Sequence, residues 1–154
     1  MPSVQVTQLA EPGKDQLTGV AGVFDQYRQH YGEQAAPERT LDWLLEHTRR
    51  GRLTVFTARV DGGLIGLATT VVIPASLTLS CAWQLRDLYV VPGARRCGAG
   101  RALVDAVTGA AARGGAIRVS VQTEPDNAAA LRLYRDCGFA PVQGVQALML
   151  PLGA

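Results

Sequence analysis

Residues 95–101 read Arg-Arg-Cys-Gly-Ala-Gly-Arg, between a strand-like run and an alanine-rich run of helical period. Glycines at 98 and 100 let main-chain N–H groups approach an anion with no side chain in the way. The helix expected to follow adds its own unsatisfied N–H groups and the positive end of its dipole. Arg95, Arg96 and Arg101 add charged donors, each worth about 1.5–3 kcal/mol where water is excluded. The ligand this chemistry suits is a pyrophosphate. Two familiar phosphate loops fit less well. A P-loop needs Gly-Lys-Ser/Thr where this chain has Gly100-Arg101-Ala102, and a dinucleotide fingerprint needs a small residue where Leu103 stands. Taken alone, the two glycines read more simply as a turn with solvated arginines.

Other residues with chemical capacity are scattered. Asn127 precedes a helical run and reads as its cap. Tyr134, three residues after Leu131, reads from spacing as a packing side chain. Tyr27 and Tyr31 are four apart, so they share a helix face; core packing is the plain reading, and a cation held against their rings is the functional one. Cys97 lies near a helix start, where a thiolate is favoured, and is taken as a small loop residue. Cys81, Cys97 and Cys137 form no CxxC pair and leave one unpaired in any disulfide scheme. That usage suits a reducing, cytoplasmic setting without a zinc site. His30 and His47 lack partners at ligand spacing, so no metal is expected.

The elements that must position these groups follow from periodicity. "SVQVTQL" (3–9) alternates as a first strand, and residues 13–33 and 36–51 look like two amphipathic helices. Pro37 stands near the start of the second helix and Gly51 just past its end. Strands are expected at 52–60, 64–73 and 79–91, with "DGG" at 61–63 a hairpin signal. A helix over 99–115, a strand over 116–123 and a helix over 127–139 follow, and "PVQGVQALML" predicts two short strands around Gly144. The order β-α-α-β-β-β-α-β-α-β-β implies an α/β fold, one mostly antiparallel mixed sheet flanked by helices.

At 154 residues the chain is most simply one domain, 1–154. Its net charge of +2 is too weak a field to argue for nucleic acid. Residues 1–50 carry five basic and seven acidic side chains, against ten and six in 51–154. Such a split suits a cationic substrate beside an anionic cofactor, though ordinary surface scatter explains it as simply. Residues 62–85 carry no charge, long enough on paper to cross a bilayer, but Pro74 and the hydroxyls of Thr69, Thr70, Ser76, Thr78 and Ser80 argue for two strands. No membrane span and no signal peptide are expected.

"LYVVPGARRCGAGRALVDAV" followed by "VSVQTEPDNAAALRLYRDCGF" resembles the GNAT superfamily of acetyl-CoA-dependent N-acetyltransferases, over about residues 85–139. The matching pieces are Arg95-x-x-Gly98-x-Gly100, Asn127, and "LYRDCGF" with Tyr134. "QYRQHY" and "WQLRDLYV" further resemble a branch containing polyamine and other small-amine acetyltransferases. The resemblance implies that the amides of Arg96, Cys97, Gly98, Ala99, Gly100 and Arg101 hold the pyrophosphate of acetyl-CoA. It implies that the pantetheine arm lies along Leu88, Tyr89 and Val90, and that Asn127 helps to hold it. An amine would attack the thioester directly, the amide of Leu88 or Tyr89 polarising the carbonyl oxygen. Tyr134 would protonate the departing thiolate.

The same resemblance places the acceptor near Tyr27 and Tyr31. Relatives often carry a glutamate as base just before the strand aspartate, but here that position is Arg86. Asp87 remains, to accept the proton, to hold the cation, or simply to pair with Arg86 or Arg118; Glu124, Asp25 and Glu33 are further carboxylates. The expected partner is a small-molecule amine, and a homodimer is expected because members of this family often pair. A protein acetyltransferase and a non-catalytic acyl-CoA sensor are the alternatives.

Overall fold

The computed structural model of the chain describes residues 2–153. In chain order it runs β1 (Gln5–Gln8), α1 (Lys14–His30), α2 (Pro37–Arg49), β2 (Thr54–Val60), β3 (Gly63–Ala75), β4 (Ser80–Val90), α3 (Ala99–Arg113), β5 (Ala116–Val121) and α4 (Ala128–Asp136). Single 3₁₀ turns occupy Ser76–Thr78 and Pro92–Ala94.

Local sequence accounts for most of these boundaries. In α1, the Gln16 side chain accepts a hydrogen bond from the Gly13 N–H, closing the first turn. Pro37 opens α2, where its missing N–H costs nothing. Asp61 and Gly62 both have positive φ, the conformation a two-residue hairpin requires, and so turn β2 into β3.

The strands form one sheet in the order β1-β2-β3-β4-β5. The first four pair antiparallel and β5 joins β4 in parallel, with the α3 crossover between them. The uncharged stretch 62–85 thus lies mostly in the β3–β4 hairpin, and among the described residues no helix is long and apolar enough to cross a membrane.

Each face of the sheet has its own core. On one, Leu17, Val20 and Phe24 of α1 and Leu44 of α2 pack on Val55, Leu67 and Tyr89. On the other, Leu103, Val104 and Val107 of α3 and Tyr134 of α4 pack on Phe56, Trp83 and Leu85. Burying each such aliphatic side chain stabilises the fold by about 1.5–3 kcal/mol.

The register of β4 contains one irregularity that matters for the site. Thr69 pairs with Asp87 and Thr70 with Leu85, so Arg86 is an extra, bulged residue. Trp83 and Leu85 point into the α3 core before the bulge, as do Leu88 and Val90 after it. The bulge reverses the alternation, and Asp87 faces α1 with Tyr89.

The two strands expected around Gly144 are not formed. Residues 140–153 carry no helix or strand and make no hydrogen bond among the described residues. The apolar residues of this segment suit a strand, but a strand exists only against a partner edge, and residues 140–153 pair with none.

Candidate active site

β4 and β5 are paired only as far as Leu85 and Val121. Beyond that point the strands separate, and β4 keeps β3 on one side and an open cleft on the other. The Val91 N–H donates to the Ile65 carbonyl across β3, at 2.8 Å. Backbone groups alternate along a strand, so the Tyr89 amide also faces β3, while the N–H and C=O of Leu88 and Val90 face the cleft. Of the two amides that could polarise a carbonyl there, Leu88 is the one on the open side. The Val90 carbonyl already accepts a hydrogen bond from Arg95 Nε at 2.9 Å.

The turn after β4 delivers the N–H groups. Gly98 has φ +87°, and Arg96 beside it has φ +65°, both in the left-handed region. Successive residues in such conformations curl their amides toward one point, a concavity suited to an anion. No hydrogen bond among the described residues engages the N–H of Arg96, Cys97, Gly98, Ala99, Gly100 or Arg101. Gly100 is constrained from outside: a Cβ there would lie 3.3 Å from Leu133 of α4.

The loop's side chains are mostly occupied elsewhere. Arg95 stacks over the Tyr89 ring at 5.6 Å, Arg101 pairs in water with Asp105 at 3.5 Å, and the Cys97 thiol donates to the Ala94 carbonyl at 2.9 Å. Arg96 lines the trough with no side-chain partner among the described residues, so the loop presents its backbone and one unengaged guanidinium.

Arg96, Gly98, Ala99, Gly100 and Arg101 line a trough of about 610 Å³ with Leu88, Tyr89, Val90 and Asn127. It shares Tyr27, Tyr31, Leu88, Asn127 and Ala130 with a second cavity of about 530 Å³, which also reaches Asp87, Glu124 and Tyr134. A third, about 660 Å³, opens between α1 and α2 and meets the second at Tyr27, Tyr31, Arg86 and Asp87. Through these shared walls the three lie in succession from the turn to the α2 side, and Asp87 lines both the second and the third.

Tyr134 is buried, yet no hydrogen bond engages its hydroxyl and no buried polar side-chain atom among the described residues lacks a partner. The hydroxyl is therefore open to the cleft. Burial, with Tyr31 as a lesser contributor, pushes its phenol up to about 12, so it keeps its proton at neutral pH. Asp87 accepts from Tyr27 Oη at 2.9 Å and from the Thr69 hydroxyl through its other oxygen. Burial and the adjacent Asp87 carboxylate drive the Tyr27 phenol well above its ordinary value, so Tyr27 is a fixed donor. Tyr31, raised by burial and then by Glu124, packs edge-on against Tyr27 at 5.3 Å. The Asn127 side chain accepts from the Ala130 N–H at 3.2 Å, capping α4 at the wall of both cavities.

The sequence profile of the acetyltransferase (GNAT) family matches residues 19–139, a span containing every element just described except β1 and the start of α1. The chain belongs to this acetyltransferase family. It is 30% identical over 120 residues to an uncharacterized N-acetyltransferase, YhfO, of Bacillus subtilis (strain 168), covering 78% of this chain and 80% of that protein. The crystal structure of a probable acetyltransferase superposes with a TM-score of 0.88 at 28% identity, over 97% of this chain and 99% of the other. The aminoglycoside N-acetyltransferase AAC(6')-Iy, solved with CoA, shares the fold with a TM-score of 0.80 at 21% identity, over 99% and 97% of the two chains.

Within this acetyltransferase, Tyr27, Tyr31, Asp87, Asn127 and Tyr134 do converge on one cleft. Asp25 does not join them. It is 3% exposed and accepts from Arg28 at 2.7 Å, from the Ala36 N–H and from Thr40. Burial alone would raise its carboxyl, but these donors outweigh it and hold it below the ordinary value, so Asp25 ties α1 to the start of α2. Glu124 and Glu33 stay on the cavity walls. Nor does Asp87 pair with arginine: Arg86 reaches toward Gln84 at 3.5 Å instead.

The structure adds residues with no sequence signal. Thr69 holds Asp87, and Trp43 and His47, with rings 4.4 Å apart, wall the third cavity. Thr69 lies 18 residues from Asp87, and only the β3–β4 register reveals the pairing. Trp43 and His47 are four apart on α2, a spacing that shows a shared face but not what the face meets.

Proposed function

We propose that this acetyltransferase moves an acetyl group from acetyl-CoA to a primary amine of a small acceptor, by direct attack within a ternary complex. The observation that supports the reading is a shared wall: the trough lined by Arg96, Gly98, Ala99, Gly100 and Arg101, whose N–H groups are unengaged, shares Tyr27, Tyr31, Leu88, Asn127 and Ala130 with the cavity of Tyr134 and Asp87. A pyrophosphate at those amides, with the arm beside Leu88 and Val90, brings a thioester to the gap between β4 and β5. The thioester supplies an activated acetyl carbon and a thiol leaving group.

The Leu88 N–H lies on the open edge of β4 and stabilises negative charge on the carbonyl oxygen. Asp87, held by Tyr27 and Thr69, keeps acceptor capacity for an amine, since a carboxylate offers about four lone-pair sites. It binds the ammonium and takes its proton directly or through water. As nitrogen bonds to the acetyl carbon, the C–S bond breaks and Tyr134 donates to the sulfur; the nitrogen's second proton passes to water, from which Tyr134 is reprotonated. A thiol ordinarily titrates near 8.5, so a phenol raised by burial gives up its proton only because burial raises the thiol's proton affinity too. Tyr31, Trp43 and His47 give the acceptor side aromatic walls, which favour a cationic amine.

A thiol-release assay with acetyl-CoA and a panel of polyamines, aminoglycosides, amino acids and peptides tests this. Turnover on a small amine is the expected result. Acetyl-CoA that stabilises the protein but turns over with no amine would leave a sensor; turnover confined to peptides would move the acceptor class to proteins.

A further inference from the structure

We propose that the acceptor carries a carboxylate beside its amine, the amine held at Asp87 and the carboxylate by Arg39, Arg52 and Arg86 in the cavity between α1 and α2. The inference rests on the acyl-transfer reading above and names the class of amine: amino acids and related zwitterions, not polyamines or aminoglycosides. Four arginines line that cavity, against two acidic residues, Glu33 and Asp87. Arg28 is already committed, to the buried Asp25 at 2.7 Å and to the Gln34 carbonyl at 3.1 Å. The other three have no carboxylate partner among the described residues, and Arg86 reaches only the neutral Gln84.

These three come from separate segments: Arg39 from α2, Arg52 from the connection before β2, and Arg86 from the β4 bulge. Like charges gathered at one concavity repel, and low-dielectric walls concentrate their field. Here part of the wall is aromatic, with Trp43 6.0 Å from Phe24 and 4.4 Å from His47 between ring centres. A bound anion relieves that repulsion, and a guanidinium fork matches a carboxylate with two parallel hydrogen bonds. The placement of the charges also orients the acceptor. Asp87 lines both this cavity and the one holding Tyr134, whereas Arg39 and Arg52 line this one alone. An amine at Asp87 then faces the Tyr134 side, and its carboxylate faces the arginines. A polyamine or aminoglycoside would instead bring further ammonium groups against them.

Calorimetry on the protein saturated with CoA tests this without turnover, because CoA carries no acetyl group. The titrants are pairs that differ only in the carboxylate: lysine and cadaverine, phenylalanine and phenethylamine, tyrosine and tyramine. In at least one pair the carboxylate-bearing member should bind about tenfold more tightly or better, the strength of a charge-assisted hydrogen bond. Arg39→Gln, Arg52→Gln and Arg86→Gln, combined, should bring the members of that pair within about twofold of each other. All three side chains belong to exposed residues, so circular dichroism should be unchanged. No pair that favours the carboxylate, or a preference that survives the arginine replacements, would overturn the proposal. Acetylation of the same panel separates the two readings. A binding preference without acetyl transfer removes only the acyl-transfer reading, and acetyl transfer indifferent to the carboxylate removes only this inference.

Discussion

The two arms of the cleft are built from different materials. On the side of the 95–101 turn, the main-chain N–H groups of 96–101 are unengaged, with Gly98 in the left-handed region, while Arg101 is paired in water and Arg95 lies against Tyr89. On the side of α1 and α2 the groups are side chains: Tyr27 and Tyr31 from α1, Thr69 from β3, Asp87 from β4, Trp43 and His47 from α2. A backbone cradle is indifferent to most side chains but exacting about φ. A side-chain pocket is the reverse, and its specificity rests on packing among distant segments.

Tyr134, where the arms meet, carries the largest expected effect. Tyr134→Phe should lower kcat by about a hundredfold, within the range for a lost general acid, with KM for both substrates nearly unchanged. Because its phenol sits near 12, the wild-type rate should show no loss from deprotonation of this group between pH 9 and 11. A falling limb near 10 that vanishes in the variant would contradict the buried placement.

Asp87→Asn should lower kcat/KM for the amine by about thirtyfold, in line with losing one charge-assisted hydrogen bond of about 1.5–3 kcal/mol, and leave KM for acetyl-CoA alone. A matching loss of acetyl-CoA affinity would erase the division between the arms. Gly98→Val tests the other side. A β-branched residue there costs about 1–2 kcal/mol in the left-handed region, so the dissociation constant for CoA, by calorimetry, should rise about tenfold without changing KM for the amine. The smallest effect belongs to Arg101→Ala. An exposed side chain in a solvent ion pair contributes about 0–1 kcal/mol, so CoA affinity should fall threefold or less, and less still in high salt. A tenfold loss would mean that charge, and not backbone, dominates the turn.

Much of the fold was legible because its signals are local. "DGG" predicted a turn whose Asp61 and Gly62 do adopt positive φ, and Pro37 and Gly51 bracket α2 as their backbone chemistry requires. The turn at 95–101 was legible for the same reason, since six consecutive amides need only a short stretch of suitable φ. Asp87 stood out as a candidate, but its partners did not, and the arginine pairing that its neighbours suggested is absent. Asp25, one more acid in an acidic half, proved to be a buried tie between helices. The apolar tail, expected to supply two short strands, formed none, because composition names a preference while pairing needs an edge.

By itself, then, the amino-acid sequence determined the order of the first nine elements and the glycine-bearing turn at 95–101, both products of neighbours within a few residues. The tertiary structure alone decided which way Asp87 points. With strict alternation it would share the α3 face with Leu85; the bulge at Arg86 turns it toward Tyr27 and Thr69. The bulge exists because β3 and β4 slip by one residue there, and register belongs to two strands together, never to either one.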